Sequence, residues 1–184
     1  MVYIFLAEGF EDIEAVAVID ILRRADVTVS VVSIHDKKEV TSAHGLTIVC
    51  DILLDEVNLH RADMLVLPGG MPGTRNLAKS KKLLTILELA QKDDKYIAAI
   101  CAAPTVLAQA GLLTGKKAIC YPGFEAELTD AVIHDDLVVR DGKLITSKGP
   151  GTAMLFGYAL VDILKGNLES DAIRKAMIFD WWHE

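Results

Sequence analysis

The first 34 residues alternate between strand and helix patterns, and this order constrains the fold more than any other feature of the chain. Residues 2–7 form an unbroken apolar run and residues 27–34 are rich in β-branched side chains. Between them, apolar side chains recur every three or four positions, as in an amphipathic helix. Two strands joined by one helix lie parallel in a sheet, with a right-handed crossover. The sequence therefore predicts an α/β protein.

The rest of the chain repeats this alternation without a linker. Apolar runs at 64–67 and 96–100 are each followed by a segment with helical spacing, and Asp141-Gly142 between two apolar runs predicts a hairpin. Around His44-Gly45 the pattern indicates either a small hairpin or a bent strand at the edge of the sheet. We expect a doubly wound, mostly parallel sheet with helices on both faces. A chain of 184 residues with 52% apolar side chains can bury one sizeable core, so residues 1–184 are predicted to form a single domain.

Charge and cysteine usage exclude several classes of protein. A net charge of −7 argues against nucleic acid or an anionic membrane as a stable partner. No apolar run approaches the roughly 20 residues of a membrane helix, and the apolar N-terminus lacks the basic residues of a secretory signal. The three cysteines form neither a disulfide framework nor a zinc ligand set. We therefore predict a cytoplasmic protein without a metal.

Cys101 is the sharpest candidate for chemistry. It follows the apolar run 96–100 directly and precedes a segment with helical spacing, so it is expected at a strand-to-helix turn. Such a turn holds a side chain out of the sheet, and the helix N-terminus favours a thiolate. The alternative is a small buried core residue, which is the interpretation preferred for Cys50 and Cys120.

Two further segments are expected at the same edge of the sheet. Glu14 lies one turn into the first predicted helix. If it points inward, burial would keep it protonated and able to donate a hydrogen bond to the sulfur, whereas an exposed helical glutamate would need no function. Gly69-Gly70 follows another strand and could present N–H groups to an oxyanion, or could simply form a tight turn. The sequence contains neither a GxGxxG nor a GxxxxGK[ST] loop, so no cofactor is predicted.

Four motifs in order give the chain a resemblance to a known family. They are AEGFEDIE at 7–14, LPGG at 67–70, ICAAPT at 100–105 and TSKGPGT at 146–152. Along essentially its whole length the chain resembles the DJ-1 branch of the DJ-1/PfpI (ThiJ) superfamily. The resemblance implies a flavodoxin-like sandwich that forms a homodimer.

The resemblance also implies roles for individual residues. Cys101 matches the reactive elbow cysteine of the family, and Glu14 matches its protonated glutamate partner. Gly70 and Ala102 match the positions whose backbone N–H groups face an oxyanion or an oxidised cysteine. The protease-like branch has a histidine directly after the cysteine, so Ala102 argues against peptidase activity.

Three positions at the substrate-binding site are implied in the same way, and two of them depart from the family pattern. Tyr121 stands where members with glyoxalase chemistry carry a histidine, so the expected proton shuttle is missing. A tyrosine is a poor base at neutral pH, although it can hydrogen-bond a substrate oxygen. His44 stands where relatives often have an arginine, which weakens anion binding or makes it pH-dependent. Arg24 matches another arginine near the family's site.

The sequence leaves three functions open, of which we prefer the first. The first is a cofactor-independent, glyoxalase III- or deglycase-like enzyme, in which Cys101 adds to methylglyoxal, a related 2-oxoaldehyde or a glycation adduct. The second is a non-enzymatic stress protein that senses oxidation through Cys101. The third is a chaperone-like binding module, suggested only by the terminal pair Trp181-Trp182.

Overall fold

A seven-stranded sheet forms the centre of the computed structural model, which describes residues 1–179. The strands along the chain are β1 Val2–Leu6, β2 Val29–Ser33, β3 Glu39–Thr41, β4 Thr47–Val49, β5 Ile52–Leu53, β6 Met64–Leu67, β7 Tyr96–Ile100, β8 Lys117–Ala118, β9 Val132–Ile133, β10 Val138–Asp141 and β11 Leu144–Ser147. Their order in the main sheet is β10-β11-β7-β6-β1-β2-β5, parallel except for the edge strand β10. β3 pairs with β4 and β8 with β9 in separate two-stranded sheets.

Helices cover both faces of this sheet. They are α1 Asp12–Arg24, α2 Gly73–Lys79, α3 Lys81–Lys92, α4 Pro104–Gln109, α5 Ala153–Lys165 and α6 Asn167–Ala176. Side chains of β1 alternate between two buried clusters: Ile4 and Leu6 join the cluster of α1, α5 and α6, whereas Tyr3 and Phe5 join that of α2, α3 and α4. This explains why residues 2–7 are continuously apolar, since both faces of the strand are buried.

The doubly wound α/β fold predicted from the sequence is confirmed. β1, α1 and β2 form the expected parallel unit, and both predicted hairpins are present as β3–β4 and β10–β11. Two elements were missed. α2 has seven residues and begins at a glycine, and β5 has two residues, so neither is long enough to show a hydrophobic period.

Among the described helices, none combines the length and the apolar character needed to cross a bilayer. The terminal pair Trp181-Trp182, which suggested a binding module, lies outside the described residues.

The strand order brings three loops together at one edge. β1 pairs with β2 on one side and β6 on the other, and β6 pairs in turn with β7. The loops after β1, β6 and β7 therefore meet at the carboxyl ends of adjacent parallel strands, beside the point where strand order reverses. Doubly wound sheets bind ligands at this position. Two of these loops carry Gly69-Gly70 and Cys101, and the loop after β1 leads into the first turn of α1, which carries Glu14.

Candidate active site

Cys101 occupies a strained turn directly after β7. Its backbone has φ 65°, in the left-handed region that costs a residue other than glycine about 1–2 kcal/mol. Two hydrogen bonds hold the turn: the Cys101 N–H donates to the Ser147 carbonyl at 2.9 Å, and the Cys101 carbonyl accepts from the Tyr121 N–H at 2.8 Å. The neighbouring strand β11 therefore fixes the direction of the thiol, as in a nucleophile elbow.

Glu14 points inward from the first turn of α1. The helix begins with Glu11 as its N-cap, whose carboxylate accepts the Glu14 N–H at 2.8 Å. The Glu14 side chain is 1% exposed, and its Oε2 atom accepts the Gly69 N–H at 2.7 Å. Its carboxyl group faces the Cys101 thiol, which acts on its pKa, and Oε1 has no hydrogen-bond partner among the described residues. Of the two orientations that the sequence leaves open for the Glu14 side chain, the structure therefore has the inward one.

Burial raises the pKa of Glu14 to about 7, with a smaller contribution from the negative charge of Glu11. The hydrogen bonds from Cys101 and from the Gly69 N–H oppose this shift. Because a general acid or base works best with a pKa near the working pH, Glu14 can both accept and return a proton under neutral conditions.

The backbone N–H groups of Gly70 and Ala102 both face the Cys101 sulfur and lower the pKa of its thiol. The sulfur can come this close to Glu14 because residue 69 has no side chain: a methyl group there would lie 2.7 Å from Cys101 Cβ and 2.8 Å from Glu14 Oε2. Two N–H donors and one carboxyl group thus converge on a single sulfur atom. They could stabilise negative charge on the sulfur or on an oxygen bonded beside it.

The protonation of Cys101 differs from the thiolate expected from the sequence. Burial, the negative charge of Glu14 and the hydrogen bond to it raise the pKa of Cys101 to about 12, and the N–H groups of Gly70 and Ala102 only partly offset this. The helix that follows, α4, has six residues, so its dipole is small. In the resting site the sulfur is therefore a thiol whenever Glu14 is ionised.

Exposure and neighbours distinguish Cys101 from the other two cysteines. Cys101 is 8% exposed, against 2% for Cys50 and 1% for Cys120. Burial raises the pKa of Cys50 and of Cys120 to about 12 as well, so the three cysteines do not differ in the pKa of their thiols. The difference is the set of groups that face the Cys101 sulfur.

Tyr121 lies beside the Cys101 turn. Its N–H binds the Cys101 carbonyl, and its half-exposed ring packs so closely on Gly149 that a methyl group there would come within 3.0 Å of the ring. Phe124 contacts the ring edge-on, with centroids 6.4 Å apart. The backbone of Tyr121 thus adjoins the Cys101 turn, and its role in binding a substrate stays a prediction.

His44 is presented by the β3–β4 hairpin, which docks on the loop after β1. The Ala43 N–H donates to the Phe10 carbonyl at 2.8 Å, and His44 Nδ1 lies 2.7 Å from Asp12 Oδ2. The hydrogen bond and the negative charge of Asp12 raise the pKa of His44. The ring is 72% exposed, so its second nitrogen is free to meet a ligand. Its role in substrate binding stays a prediction.

The same region brings together three groups whose spacing in the sequence gave no metal signal. Glu11, Asp12 and His44 each have one ligand atom within 4.8 Å of the others. Asp12 already accepts from Ser42 and pairs with His44, and Glu11 caps α1. We therefore interpret this cluster as the contact that holds the β3–β4 hairpin against the start of α1.

Arg24 lies apart from the other predicted site residues. It ends α1, ten positions after Glu14 and about 15 Å along the helix axis, and its Nε donates to Asp20 at 2.7 Å. Within one chain the structure does not bring Arg24 to Cys101. Its assignment to the site stays a prediction from resemblance.

Gly70→Ala tests how tightly the donor loop is constrained. Gly70 has φ 91°, and a Cβ there would lie 2.4 Å from the Glu11 nitrogen, so we expect a loss of about 3 kcal/mol or more in the free energy of unfolding. Gly45→Ala is the matched control, since Gly45 has φ 88° but no atom within 4 Å of its Cβ position, and should lose only about 1 kcal/mol. Urea denaturation of both variants measures the difference. Equal losses would contradict the crowded loop.

Fold and site together define a class: a doubly wound α/β protein with an elbow cysteine facing a buried glutamic acid. The sequence profile of the DJ-1/PfpI family matches residues 1–163, and the chain belongs to this family.

Individual relatives agree with this membership. Protein DJ-1 homolog B of Arabidopsis thaliana is 39% identical over 94% of this chain, which spans only 40% of that protein's length. The glutathione-independent glyoxalase DJR-1.2 of Caenorhabditis elegans is 33% identical over 92% of this chain and 91% of its own. The solved structure of oxidised Toxoplasma gondii DJ-1 superposes with a TM-score of 0.92 at 35% identity, covering 96% of this chain and 97% of that chain.

Proposed function

We propose that this protein is a cysteine-dependent, cofactor-independent enzyme that removes methylglyoxal or related 2-oxoaldehydes and their glycation adducts. The observation that carries the proposal is the convergence of the Glu14 carboxyl group and the N–H groups of Gly70 and Ala102 on the Cys101 sulfur. The proposal is supported by a relative of similar length that is named a glutathione-independent glyoxalase.

The proposed reaction begins with addition of the Cys101 sulfur to the aldehyde carbon of methylglyoxal. The thiol proton passes to Glu14 as the carbon–sulfur bond forms, and the resulting oxygen anion takes up a proton to give a hemithioacetal. A proton then moves from the former aldehyde carbon to the neighbouring carbonyl carbon, and the hydroxyl proton passes to the neighbouring oxygen, which gives a thioester of lactate. Water hydrolyses the thioester, so methylglyoxal and one water become lactate and the thiol is regenerated.

Glu14 is the leading acid–base group for these proton transfers. Its carboxyl group is within reach of the sulfur, and its pKa of about 7 leaves a useful fraction in each form at neutral pH. Tyr121 would hydrogen-bond a substrate oxygen but is a weak base. A hemithioacetal or hemiaminal adduct would first release its thiol or amine to give the free aldehyde, which the sulfur then attacks in the same way.

The direct test is product analysis without glutathione. Purified protein is incubated with methylglyoxal in D₂O and followed by proton NMR, and we expect one lactate for each methylglyoxal consumed, with no other added reagent. Consumption no faster than in a protein-free blank, or loss of aldehyde without lactate, would refute the enzymatic proposal.

A second candidate is a redox sensor in which Cys101 becomes a sulfinate. The same two N–H donors and a protonated Glu14 would stabilise the sulfinate oxygens, and a relative's solved structure is named as oxidised. After mild peroxide treatment, mass spectrometry should find oxidation at Cys101 in large excess over Cys50 and Cys120, which are 2% and 1% exposed. Similar oxidation at all three would argue against a sensor.

The predicted homodimer and cytoplasmic location belong to either candidate. Both stay predictions, as does the single domain over residues 1–184.

A further inference from the structure

A cavity of about 780 Å³ lies between α2 and α4, beside the catalytic turn. Its walls come from these two helices, the start of α3 and the segment 127–129, and they do not include Cys101 or Glu14. Sites for small molecules usually have about 300–1,000 Å³. The cavity is therefore large enough for a small metabolite and is separate from the sulfur.

Positive charge surrounds this cavity. Arg75, Lys79 and Lys81 line it, and none of the three has an ion pair with any described residue. Glu127 is the acidic residue in the lining, so a surplus of positive charge remains. In a chain with a net charge of −7, such a local surplus attracts an anionic ligand.

A buried hydroxyl group in the wall lacks a partner. Thr74 lines the cavity, is 2% exposed, and its Oγ1 atom has no hydrogen bond with the described residues. Buried polar side-chain atoms are nearly always hydrogen-bonded, because an unpaired one costs free energy. Because Oγ1 has almost no accessible surface, a ligand oxygen in the cavity would supply the missing partner after the Thr74 side chain rotates toward the cavity.

The remaining wall is partly apolar, with Met71, Ala78 and Leu84. We propose that this cavity binds a small phosphate monoester, with its phosphate group held by the three cations and the Thr74 hydroxyl group and its carbon body against the apolar wall. A phosphate monoester carries close to two negative charges at neutral pH, which matches the surplus left after Glu127, whereas a single carboxylate does not.

The cavity also contacts the residues that hold the catalytic turn. The Thr74 N–H donates to the Gly70 carbonyl at 2.8 Å, and Thr105 Oγ1 donates to the Ala102 carbonyl at 2.7 Å. Gly70 and Ala102 are the residues whose N–H groups face the sulfur. Binding in the cavity should therefore be visible in the amide resonances of these two residues.

The test is a titration of ¹⁵N-labelled protein with glycerol 3-phosphate at low ionic strength, with inorganic phosphate and glycerate as comparison ligands. We expect saturable shifts in α2, α4 and residues 127–129, and an affinity for glycerol 3-phosphate about tenfold above that for glycerate. If inorganic phosphate bound with the same affinity as glycerol 3-phosphate, the cavity would be a site for free phosphate, and the proposal of a phosphate monoester would be wrong. Resonance shifts confined to other regions, or shifts that do not saturate at about 10 mM glycerol 3-phosphate, would show that the cavity is not a binding site.

Substitutions in the cavity wall test which residues bind the phosphate monoester. Arg75→Glu should weaken binding about tenfold or more, whereas Lys92→Glu, an equal charge change on the exposed end of α3, should not. Thr74→Val removes the unpaired hydroxyl group and keeps the shape, so it should raise the melting temperature of the unliganded protein and weaken binding. Binding by Arg75→Glu and Thr74→Val equal to that of the parent would refute the proposal.

Cys101→Ala should bind glycerol 3-phosphate as the parent does, which separates this site from the proposed catalysis.

Discussion

Replacing Cys101 with alanine is expected to lower kcat/KM for methylglyoxal by about 10³-fold or more, to the level of the blank. The proposed reaction has no other nucleophile, because the carbon–sulfur bond carries the substrate through both proton transfers. The N–H groups of Gly70 and Ala102 and the carboxyl group of Glu14 would remain, but they face the sulfur that the variant lacks. Lactate formation followed by NMR at several substrate concentrations measures the effect.

Cys50→Ala is the matched control for this experiment. Cys50 is also buried and its pKa is also raised to about 12, but Asp51 and Lys38 are the charged groups that act on it, and neither belongs to the catalytic turn. It should keep the parent's activity. The melting temperatures of both variants verify that they fold. A folded Cys101→Ala protein that formed lactate at the parent's rate would exclude the sulfur as nucleophile.

Replacing Glu14 with glutamine should lower kcat/KM by about 10²- to 10⁴-fold, because an amide can hydrogen-bond the sulfur but cannot take its proton. In the parent, kcat/KM should rise with pH through a midpoint near 7, as Glu14 loses its proton and becomes a base. Glutamine removes that group, so this rise should vanish. A rise with an unchanged midpoint in the variant would show that another residue is the base.

The same substitution should change the pH dependence of stability. Burial raises the pKa of Glu14 from 4.5 to about 7, so between these values the folded protein holds a proton that the unfolded chain has lost. Stability is therefore lost as pH rises through this window, by about 3 kcal/mol in total, and the penalty is complete above it. Glu14→Gln avoids this penalty and should be the more stable protein at about pH 8.

Urea denaturation between about pH 5 and pH 8 measures this effect, with Glu88→Gln on the exposed face of α3 as the control. The control should follow the parent at every pH. A Glu14→Gln protein whose stability fell with pH as steeply as the parent's would show that Glu14 is not a buried acid with a raised pKa.

Much of this architecture could be predicted from local patterns. The β1-α1-β2 unit follows from side-chain periods of two and of three to four residues, because these periods are fixed by the backbone geometry of strands and helices. The β10–β11 turn follows from Asp141-Gly142 for a similar reason, since glycine adopts positive φ readily. Elements too short to complete a period, such as α2 and β5, could not be found this way.

The site was only partly predictable. Cys101 and Glu14 could be singled out because one follows a strand directly and the other lies one turn into a helix. Asp12 was missed as the partner of His44, since 32 positions separate them and only the docked hairpin brings them together. The Ser147 carbonyl that holds the Cys101 turn was also missed, because that contact depends on the pairing of β7 with β11.

Local order along the chain was thus enough to establish the α/β class and to single out Cys101 and the loops of the candidate site, because these depend on neighbours within a few residues. The protonation of Cys101 and Glu14 and the unpaired hydroxyl group of Thr74 came only from the folded molecule. Desolvation depends on what packs around a group from distant parts of the chain. For that reason the expected thiolate became a buried thiol beside a carboxyl group with a raised pKa.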